Sequence, residues 1–203
     1  NEKYGIVEKD FISAELEIVP AFKANSLGFD RSMVGGYGQD DRVCAYTSLQ
    51  AILETEKPEK TAVCLLVDKE EIGSIGNTGM ESRMFETFLG ELLRLHKEDT
   101  DINVINRCFA LSRMLSADVD GAFDPIYASA SEKRNAYFFG MGVGLNKYTG
   151  ARGKSGANDA NAEYVASLRK LFDDNKVRFQ ISELGKVDEG GGGTIAYILA
   201  NKG

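Results

Sequence analysis

The chain of 203 residues is poor in histidine, cysteine and proline, and it contains no tryptophan. Its three cysteines, Cys44, Cys64 and Cys108, stand far apart without the paired spacing of a zinc–thiolate site. We therefore predict buried, reduced thiols and neither disulfides nor a cysteine-bound metal. The single histidine, His96, follows an apolar helical stretch. A solvated position near a helix C-terminus is favoured there over metal binding.

The chain also lacks clustered positive charge and long apolar runs. Its 24 lysines and arginines are outnumbered by 31 aspartates and glutamates, for a net charge of −7. No basic stripe is present to neutralise nucleic-acid phosphates. The apolar runs are much shorter than the ~20 residues of a membrane helix, and no charged-then-apolar signal segment opens the chain. The sequence thus predicts a soluble, cytoplasmic protein that binds neither nucleic acid nor membranes.

Strand and helix patterns alternate along the chain, and its 43% hydrophobic content is enough for a core. Short apolar or alternating runs predict strands at residues 12–18, 61–68, 114–118, 136–143 and 177–181. Apolar residues at helical spacing predict helices at residues 45–53, 84–93, 102–112, 160–172 and 195–199. This order is typical of an α/β fold with a mostly parallel sheet and antiparallel edge strands.

Acidic residues follow several of these elements. The segment Val67–Ser74 reads Val-Asp-Lys-Glu-Glu-Ile-Gly-Ser, so an apolar strand ends in the adjacent carboxylates of Glu70 and Glu71. Asp40 precedes the first long helix, and Asp118 ends another strand. Any one of these acids alone could be a helix cap or a solvated loop residue. If adjacent strands carry them, they converge at one rim of the sheet, where their repulsion is costly unless cations neutralise it.

Four motifs resemble those of one enzyme family. They are Gly-Gln-Asp-Asp-Arg at residues 38–42, Asp-Lys-Glu-Glu-Ile-Gly-Ser at 68–74, Ser-Ala-Asp at 116–118 and the glycine turn before Thr194. Together they resemble the M18 family of metalloaminopeptidases, the aspartyl aminopeptidase group, and in particular its bacterial branch. The resemblance runs from about residue 10 to the last residue. It implies a three-layer α/β/α domain of the zinc-peptidase (phosphorylase/hydrolase-like) type that removes the N-terminal residue from peptide substrates.

The resemblance also implies a role for each acid. Asp40 would bridge two divalent metal ions, with zinc expected and cobalt or manganese as alternatives. Glu71 would bind one of the ions, and Asp118 would bind the other. Glu70 matches the general base that takes a proton from the water molecule activated by the two ions.

The sequence departs from the family in its histidines. The family completes its metal site with two of them, and neither is present here, while Lys69 stands where many members have a further histidine. The remaining donors are all oxygen, a weaker set for zinc. We therefore expect residues 10–203 to be a partial catalytic domain and residues 1–9 a remnant of the connection from an inserted oligomerisation domain. Such a fragment of a homo-oligomeric enzyme would have little or no activity alone, and its metal ions could be absent.

Residues near these ligands are candidates for supporting and substrate-binding roles. Asp41 and Arg42 follow the first ligand and are predicted to orient it rather than to bind metal. Lys147 and Arg152 lie in a polar, basic, glycine-rich stretch that could grip a substrate carboxylate, with an ordinary solvated loop as the alternative. The glycine turn could bring exposed amides towards the substrate, with a flexible turn as the alternative. Its candidate residues are Gly192, Gly193 and Thr194.

Two other functions stay open from the sequence. The chain could be a non-catalytic binding or assembly module that keeps the peptidase fold without its metals. However, such a module has no reason to keep Glu70 as a general base beside a metal ligand, which favours the enzyme. An aminopeptidase of the related M42 type would share the same chemistry. Neither glycine-rich stretch ends like a P-loop, which argues against nucleotide binding.

Overall fold

The computed structural model describes residues 3–152, 155–186, 189 and 191–203. The chain divides into two compact units, Asn1–Val43 and Cys44–Gly203. Each unit contains hydrogen-bonded strand pairs of its own.

The first unit contains a short 3₁₀ helix and one hairpin. The 3₁₀ helix spans Glu8–Ile12, and strands β1 (Asn25–Leu27) and β2 (Met33–Gly35) pair antiparallel. The strand predicted at residues 12–18 is wrong, because the 3₁₀ helix ends at its first residue and no regular structure follows it until β1. Alternating residues form a strand only where one face is buried and a neighbour supplies hydrogen bonds. Here Ile18 is fully exposed.

Helix α1 begins in the first unit and ends in the second. It spans Gln39–Leu53, but Asp40 and Asp41 have non-helical backbone angles, so the regular helix starts at Arg42. The helix predicted from the apolar spacing is thus confirmed. It ends at Leu53, the last residue of the predicted range.

The other helices of the second unit follow the predicted apolar stripes. They are α2 (Met84–Leu95), α3 (Ile102–Ala110), α4 (Ala162–Asp174) and α5 (Ala196–Ala200). Helices α3 and α4 are capped at their N-termini by Asp101 and Asn161, respectively. Each capping side chain accepts a hydrogen bond from a backbone amide of the first turn. Phe109 of α3 is buried and packs edge-on against Phe85 of α2, with ring centroids 5.8 Å apart. Among the described residues, every helix is too short or too polar to cross a membrane.

Two strand pairs lie in the second unit. Strands β3 (Val143–Asn146) and β6 (Phe179–Ser182) pair in parallel, whereas β4 (Tyr148–Ala151) and β5 (Ser155–Asp159) form an antiparallel hairpin. Strand β6 lies where a strand was predicted. Strand β3 starts at the last residue of the predicted 136–143 strand, and the β4–β5 hairpin occupies the stretch predicted as a loop.

Two predicted strands, at residues 61–68 and 114–118, have no ladder partner among the described residues. Several of their apolar side chains are exposed, with Val63 at 51%, Leu66 at 55% and Leu115 at 66%. Helices close their hydrogen bonds internally, but a strand needs a neighbour. The predicted α/β content, with parallel and antiparallel pairing, is confirmed. Among the described residues, one strand pair is parallel and two are antiparallel, so the mostly parallel sheet and the three-layer α/β/α arrangement stay predictions.

Candidate functional site

Residues 68–81, here called the acidic loop, fold back on themselves. At the base of the loop, the Asp68 amide donates to the Thr78 carbonyl at 3.1 Å. Inside it, the Ser74 amide donates to the Lys69 carbonyl at 2.7 Å, and the Ser74 carbonyl accepts from the Glu81 amide at 3.0 Å. Ser74 is buried, at 4% exposure. Residues of the loop therefore hold it closed.

Glu70 and Glu71 lie on one 3₁₀ turn of this loop, Glu70–Ile72. The turn is bounded by two left-handed residues, Lys69 (φ 64°) and Gly73 (φ 96°), and the Gly73 amide donates to the Glu70 carbonyl at 2.9 Å. Glu70 is half-buried and Glu71 is exposed. Two adjacent carboxylates in such different environments can take different roles, one handling a proton and the other binding a cation.

Asp68 at the base of the loop carries a stabilised negative charge. The backbone amide of Lys69 holds the pKa of the Asp68 carboxyl below its usual value, and the Lys69 ammonium, 3.4 Å away, adds to this effect. Lys69 therefore forms an ion pair with the acid that precedes it.

The glycine turn and α5 contact the β4–β5 hairpin. The Gly150 amide of β4 donates to the Gly192 carbonyl at 3.1 Å. Gly191 has a φ of 123°, and a Cβ atom there would lie 2.8 Å from the Gly150 carbonyl oxygen, so this close backbone approach requires glycine. The Thr194 hydroxyl accepts from the Ala196 amide at 3.2 Å as α5 begins.

A tyrosine of α5 contacts the acidic loop. The Tyr197 hydroxyl of α5 donates to Glu81 Oε1 at 3.2 Å. Burial, then the hydrogen bond and charge of Glu81, and finally the charge of Glu70 raise the pKa of Tyr197. The structure thus brings α5, which follows the glycine turn, against the acidic loop. The sequence reasoning missed Tyr197 and Glu81, and their separation of 116 residues left no local pattern that could reveal the contact.

The predicted substrate-binding cations lie on the β4–β5 hairpin. Lys147, just before β4, forms an ion pair with Asp159 at the end of β5, so any substrate carboxylate would compete with that acid. Arg152 is exposed at the hairpin turn with a left-handed φ of 52°. Their substrate-binding roles stay predictions.

Asp118 lies in a segment without helix or strand, and Asp120, two residues further on, is anchored by hydrogen bonds. The Val119 amide donates to Asp118 Oδ1 at 2.7 Å. The Asn146 side-chain amide donates to both carboxylate oxygens of Asp120, at 3.1 and 3.0 Å. Burial raises the pKa of Asp120, against the lowering effect of that hydrogen bond. Burial and then the charge of Asp120 also raise the pKa of Tyr137, whose hydroxyl lies 2.6 Å from Asn146 Oδ1.

The first predicted ligand and its supporting residues lie in the other unit. Asp40 and Asp41 are exposed, and the peptide bond between them is cis. The Arg42 guanidinium lies 5.7 Å from the Tyr37 ring centroid, over Gly38, whose φ of 76° and missing side chain leave room for it. The roles of Asp40, Asp41 and Arg42 stay predictions.

Comparison with known proteins relates the chain to peptidases. A family model described as aminopeptidase I zinc metalloprotease (M18) matches residues 1–203. A curated relative from Clostridium acetobutylicum, named probable M18 family aminopeptidase 1, is 57% identical over the whole chain. A relative with the same name from Thermotoga maritima is 47% identical over the whole chain. The chain spans 43% and 45% of the lengths of these two relatives.

Solved structures agree with this relationship. The chain is fully covered by the aminopeptidase I structure from C. acetobutylicum, with a TM-score of 0.89 and 57% identity over 43% of that chain. The M18 aminopeptidase structure from T. maritima gives a TM-score of 0.93 and 47% identity over 45% of that chain. The structure of the S. cerevisiae mApe1 dodecamer matches 89% of this chain and 40% of the mApe1 chain, with a TM-score of 0.63. At 19% identity, this match shows only that the two chains share a fold. The full-length match of the family model shows that the chain belongs to the M18 family of zinc metalloproteases.

Proposed function

We propose that the full-length protein is a metal-dependent aminopeptidase that hydrolyses the N-terminal residue of peptides. The observation that carries this proposal is the closed acidic loop, which presents Glu70 and Glu71 side by side on one turn. The curated relatives at 47–57% identity are named as probable aminopeptidases, which supports the same activity. Membership of the M18 family also favours this reading over an M42-type enzyme.

The donor chemistry fits divalent cations. Asp40, Glu71 and Asp118 would hold two ions through carboxylate oxygens, which are ligands of zinc and manganese in proteins. The one histidine, His96, follows the end of α2 and is exposed, so we do not assign it to the site. An all-oxygen set binds zinc less tightly than a set that includes imidazoles. We therefore propose that zinc serves the full-length enzyme and that this chain alone binds it weakly.

When bound, the two ions would lower the pKa of a water molecule and polarise the scissile carbonyl. Glu70 would hold the proton taken from that water at its carboxylate and deliver it to the leaving amine. The closed loop keeps the backbone of Glu70 fixed, so the base would need little rearrangement during the reaction. Lys147, Arg152 and the amides of the glycine turn would contact the substrate.

The test is Glu70→Gln in the full-length enzyme. This change keeps the size of the side chain but removes its basicity, so we expect kcat to fall by about 10²- to 10⁴-fold. Zinc content and oligomer size should stay unchanged. Glu56→Gln, which changes an exposed acid after α1, serves as the matched control and should keep full activity. A Glu70→Gln enzyme within tenfold of the parent would rule out Glu70 as the general base.

The chain alone provides a second test. We propose that it has little or no activity, because the two family histidines are not among its residues. Turnover of an amino-acid p-nitroanilide by the purified chain at a rate near that of the full-length enzyme would contradict this. The non-catalytic alternative predicts instead that Glu70→Gln changes nothing in the full-length protein. We further propose that the full-length protein is a cytoplasmic homo-oligomer, which size-exclusion chromatography with light scattering would check.

A further inference from the structure

Residues 114–120 form no helix or strand, but their exposure alternates from one residue to the next, as it does along an extended backbone. Side chains of an extended backbone alternate between two faces, so residues two apart point the same way. Exposure follows this alternation along the whole segment. The half-buried residues are Met114, Ser116, Asp118 and Asp120, and the exposed ones are Leu115, Ala117 and Val119. Asp118 and Asp120 therefore leave the backbone on the same side.

Asp120 is fastened to the neighbouring strand β3. Asn146, the last residue of β3, donates its side-chain amide to both oxygens of the Asp120 carboxylate, at 3.1 and 3.0 Å. A hydrogen bond to an ionised acceptor is stronger than one between neutral groups. The hydrogen bond between Asn146 and Asp120 joins residues 26 positions apart, so it ties the 114–120 segment to a separate part of the unit.

A buried tyrosine fixes Asn146 in turn. The Tyr137 hydroxyl lies 2.6 Å from Asn146 Oδ1 and 3.0 Å from the Ser182 carbonyl of β6, and Tyr137 is only 4% exposed. The Asn146 side chain therefore has a partner for its amide nitrogen and for its oxygen. This orientation leaves the amide nitrogen directed at Asp120.

A glycine of β3 makes room for this arrangement. A Cβ atom at Gly144 would lie 3.1 Å from Tyr137 Cε1 and 3.3 Å from Asp120 Oδ2, closer than ordinary van der Waals contact. Just after Asp120, the Phe123 amide donates to the Tyr137 carbonyl at 2.7 Å. The segment that follows Asp118 is thus held at a side chain and at the backbone.

We propose that Asp120 is a positioning residue for Asp118, anchoring the 114–120 segment through Asn146 and Tyr137 so that the Asp118 carboxylate is held ready for its metal ion. This inference rests on the proposed function, in which Asp118 is a ligand. Without the anchor, the segment must become ordered each time the ion binds, and that cost lowers the affinity. Loss of such supporting contacts typically weakens a metal site by about 10- to 100-fold.

The test changes the anchor without changing the charge near the site. In the full-length enzyme, Asn146→Ala removes the donor to Asp120 and leaves every acid in place. We expect zinc, titrated alone against a chromophoric chelator, to bind about 10- to 100-fold more weakly. The absorption spectrum of the cobalt-substituted enzyme should shift, and activity lost at limiting zinc should return at saturating zinc. Asn158→Ala changes a half-buried asparagine of strand β5, which pairs with β4 rather than β3, and should leave the zinc affinity and the spectrum unchanged.

Two further variants make each outcome decisive. Tyr137→Phe removes only the hydroxyl that orients Asn146, so it should weaken zinc binding several-fold even if Asn146→Ala fails to fold. Asp118→Asn should abolish tight binding of one ion if Asp118 is a ligand. If Asp118→Asn binds zinc normally, the proposed function fails at that ligand. If Asp118→Asn loses the ion while Asn146→Ala and Tyr137→Phe keep the parent's affinity and cobalt spectrum, the positioning role alone is overturned.

Discussion

The change Gly79→Ala should open the acidic loop. A Cβ atom at Gly79 would overlap the carbonyl carbon and oxygen of Ser74 and the carbonyl oxygen of Ile75, well below the 3.0 Å that real Cβ atoms keep. These are backbone atoms and cannot turn aside as a flexible side chain could. The Ser74 carbonyl must move, although it also accepts the hydrogen bond from the Glu81 amide.

Two costs set the magnitude of the effect. Overpacking a well-fitted site usually costs about 1–3 kcal/mol. Loss of the hydrogen bond between the Glu81 amide and the Ser74 carbonyl adds about 1 kcal/mol. The free energy for opening the loop should therefore fall by about 2–4 kcal/mol, which corresponds to roughly 30- to 1000-fold faster amide exchange where exchange follows loop opening.

Hydrogen exchange measured by mass spectrometry on peptides from residues 68–81 of the full-length enzyme tests this expectation. Gly76→Ala is a matched control in the same loop, because Gly76 has a φ of 82° but open space around its Cβ position; a strained backbone alone should cost about 1 kcal/mol. Gly121→Ala meets no atom within 4 Å and has no positive φ, so it should change nothing. The reasoning fails if Gly79→Ala exchanges no faster than Gly76→Ala.

Three further predictions concern packing and charge in the second unit. Glu86 is about a quarter exposed; burial opposes its ionisation, but the hydrogen bond and charge of Lys202 outweigh this and lower the pKa of Glu86. The pair therefore stabilises the fold at pH values above the ordinary pKa of a glutamate. This stabilisation is lost as the pH falls through the lowered pKa of Glu86. Glu86→Gln should cost about 1–2 kcal/mol at pH 7 and progressively less towards pH 3, and an equal cost in thermal unfolding at both pH values would refute this. Phe109→Ala should cost about 3–5 kcal/mol and lower the melting temperature, whereas a cost below 1 kcal/mol would contradict the buried packing of the ring. Tyr197→Phe, which removes the donor to Glu81, should speed amide exchange in α5 by about 2- to 12-fold, and unchanged exchange would show that the hydrogen bond does not hold the helix.

The helices could be predicted from the sequence because their hydrogen bonds and their apolar stripes are both local. Helices α2, α3 and α4 each begin within two residues of the predicted position. The strands were less predictable, since pairing depends on a second segment. The run at residues 61–68 has the composition of a buried strand but no ladder partner among the described residues. The β4–β5 hairpin forms from polar, glycine-rich sequence that carries no alternating pattern.

In the candidate site, too, features set by neighbouring residues could be predicted, whereas contacts between distant residues could not. Adjacent carboxylates after an apolar run were visible in the sequence, and the structure places Glu70 and Glu71 on one turn. The contacts that surround the candidate residues were not visible, because they join distant positions. Tyr197 contacts Glu81 across 116 residues, and Asn146 contacts Asp120 across 26.

The acidic loop and the segment that carries Asp118 should therefore differ in how much their local stability depends on strand pairing. The loop is closed by its own hydrogen bonds, such as that between the Asp68 amide and the Thr78 carbonyl, so the turn carrying Glu70 and Glu71 should keep its shape even when residues 61–67 are unpaired. Residues 114–118 form no helix or strand, and their segment is tied to β3 through the contact between Asp120 and Asn146. In the chain alone, amide exchange should therefore be slower in the middle of the acidic loop than at residues 114–118. The opposite order would show that the loop also depends on strand pairing outside itself.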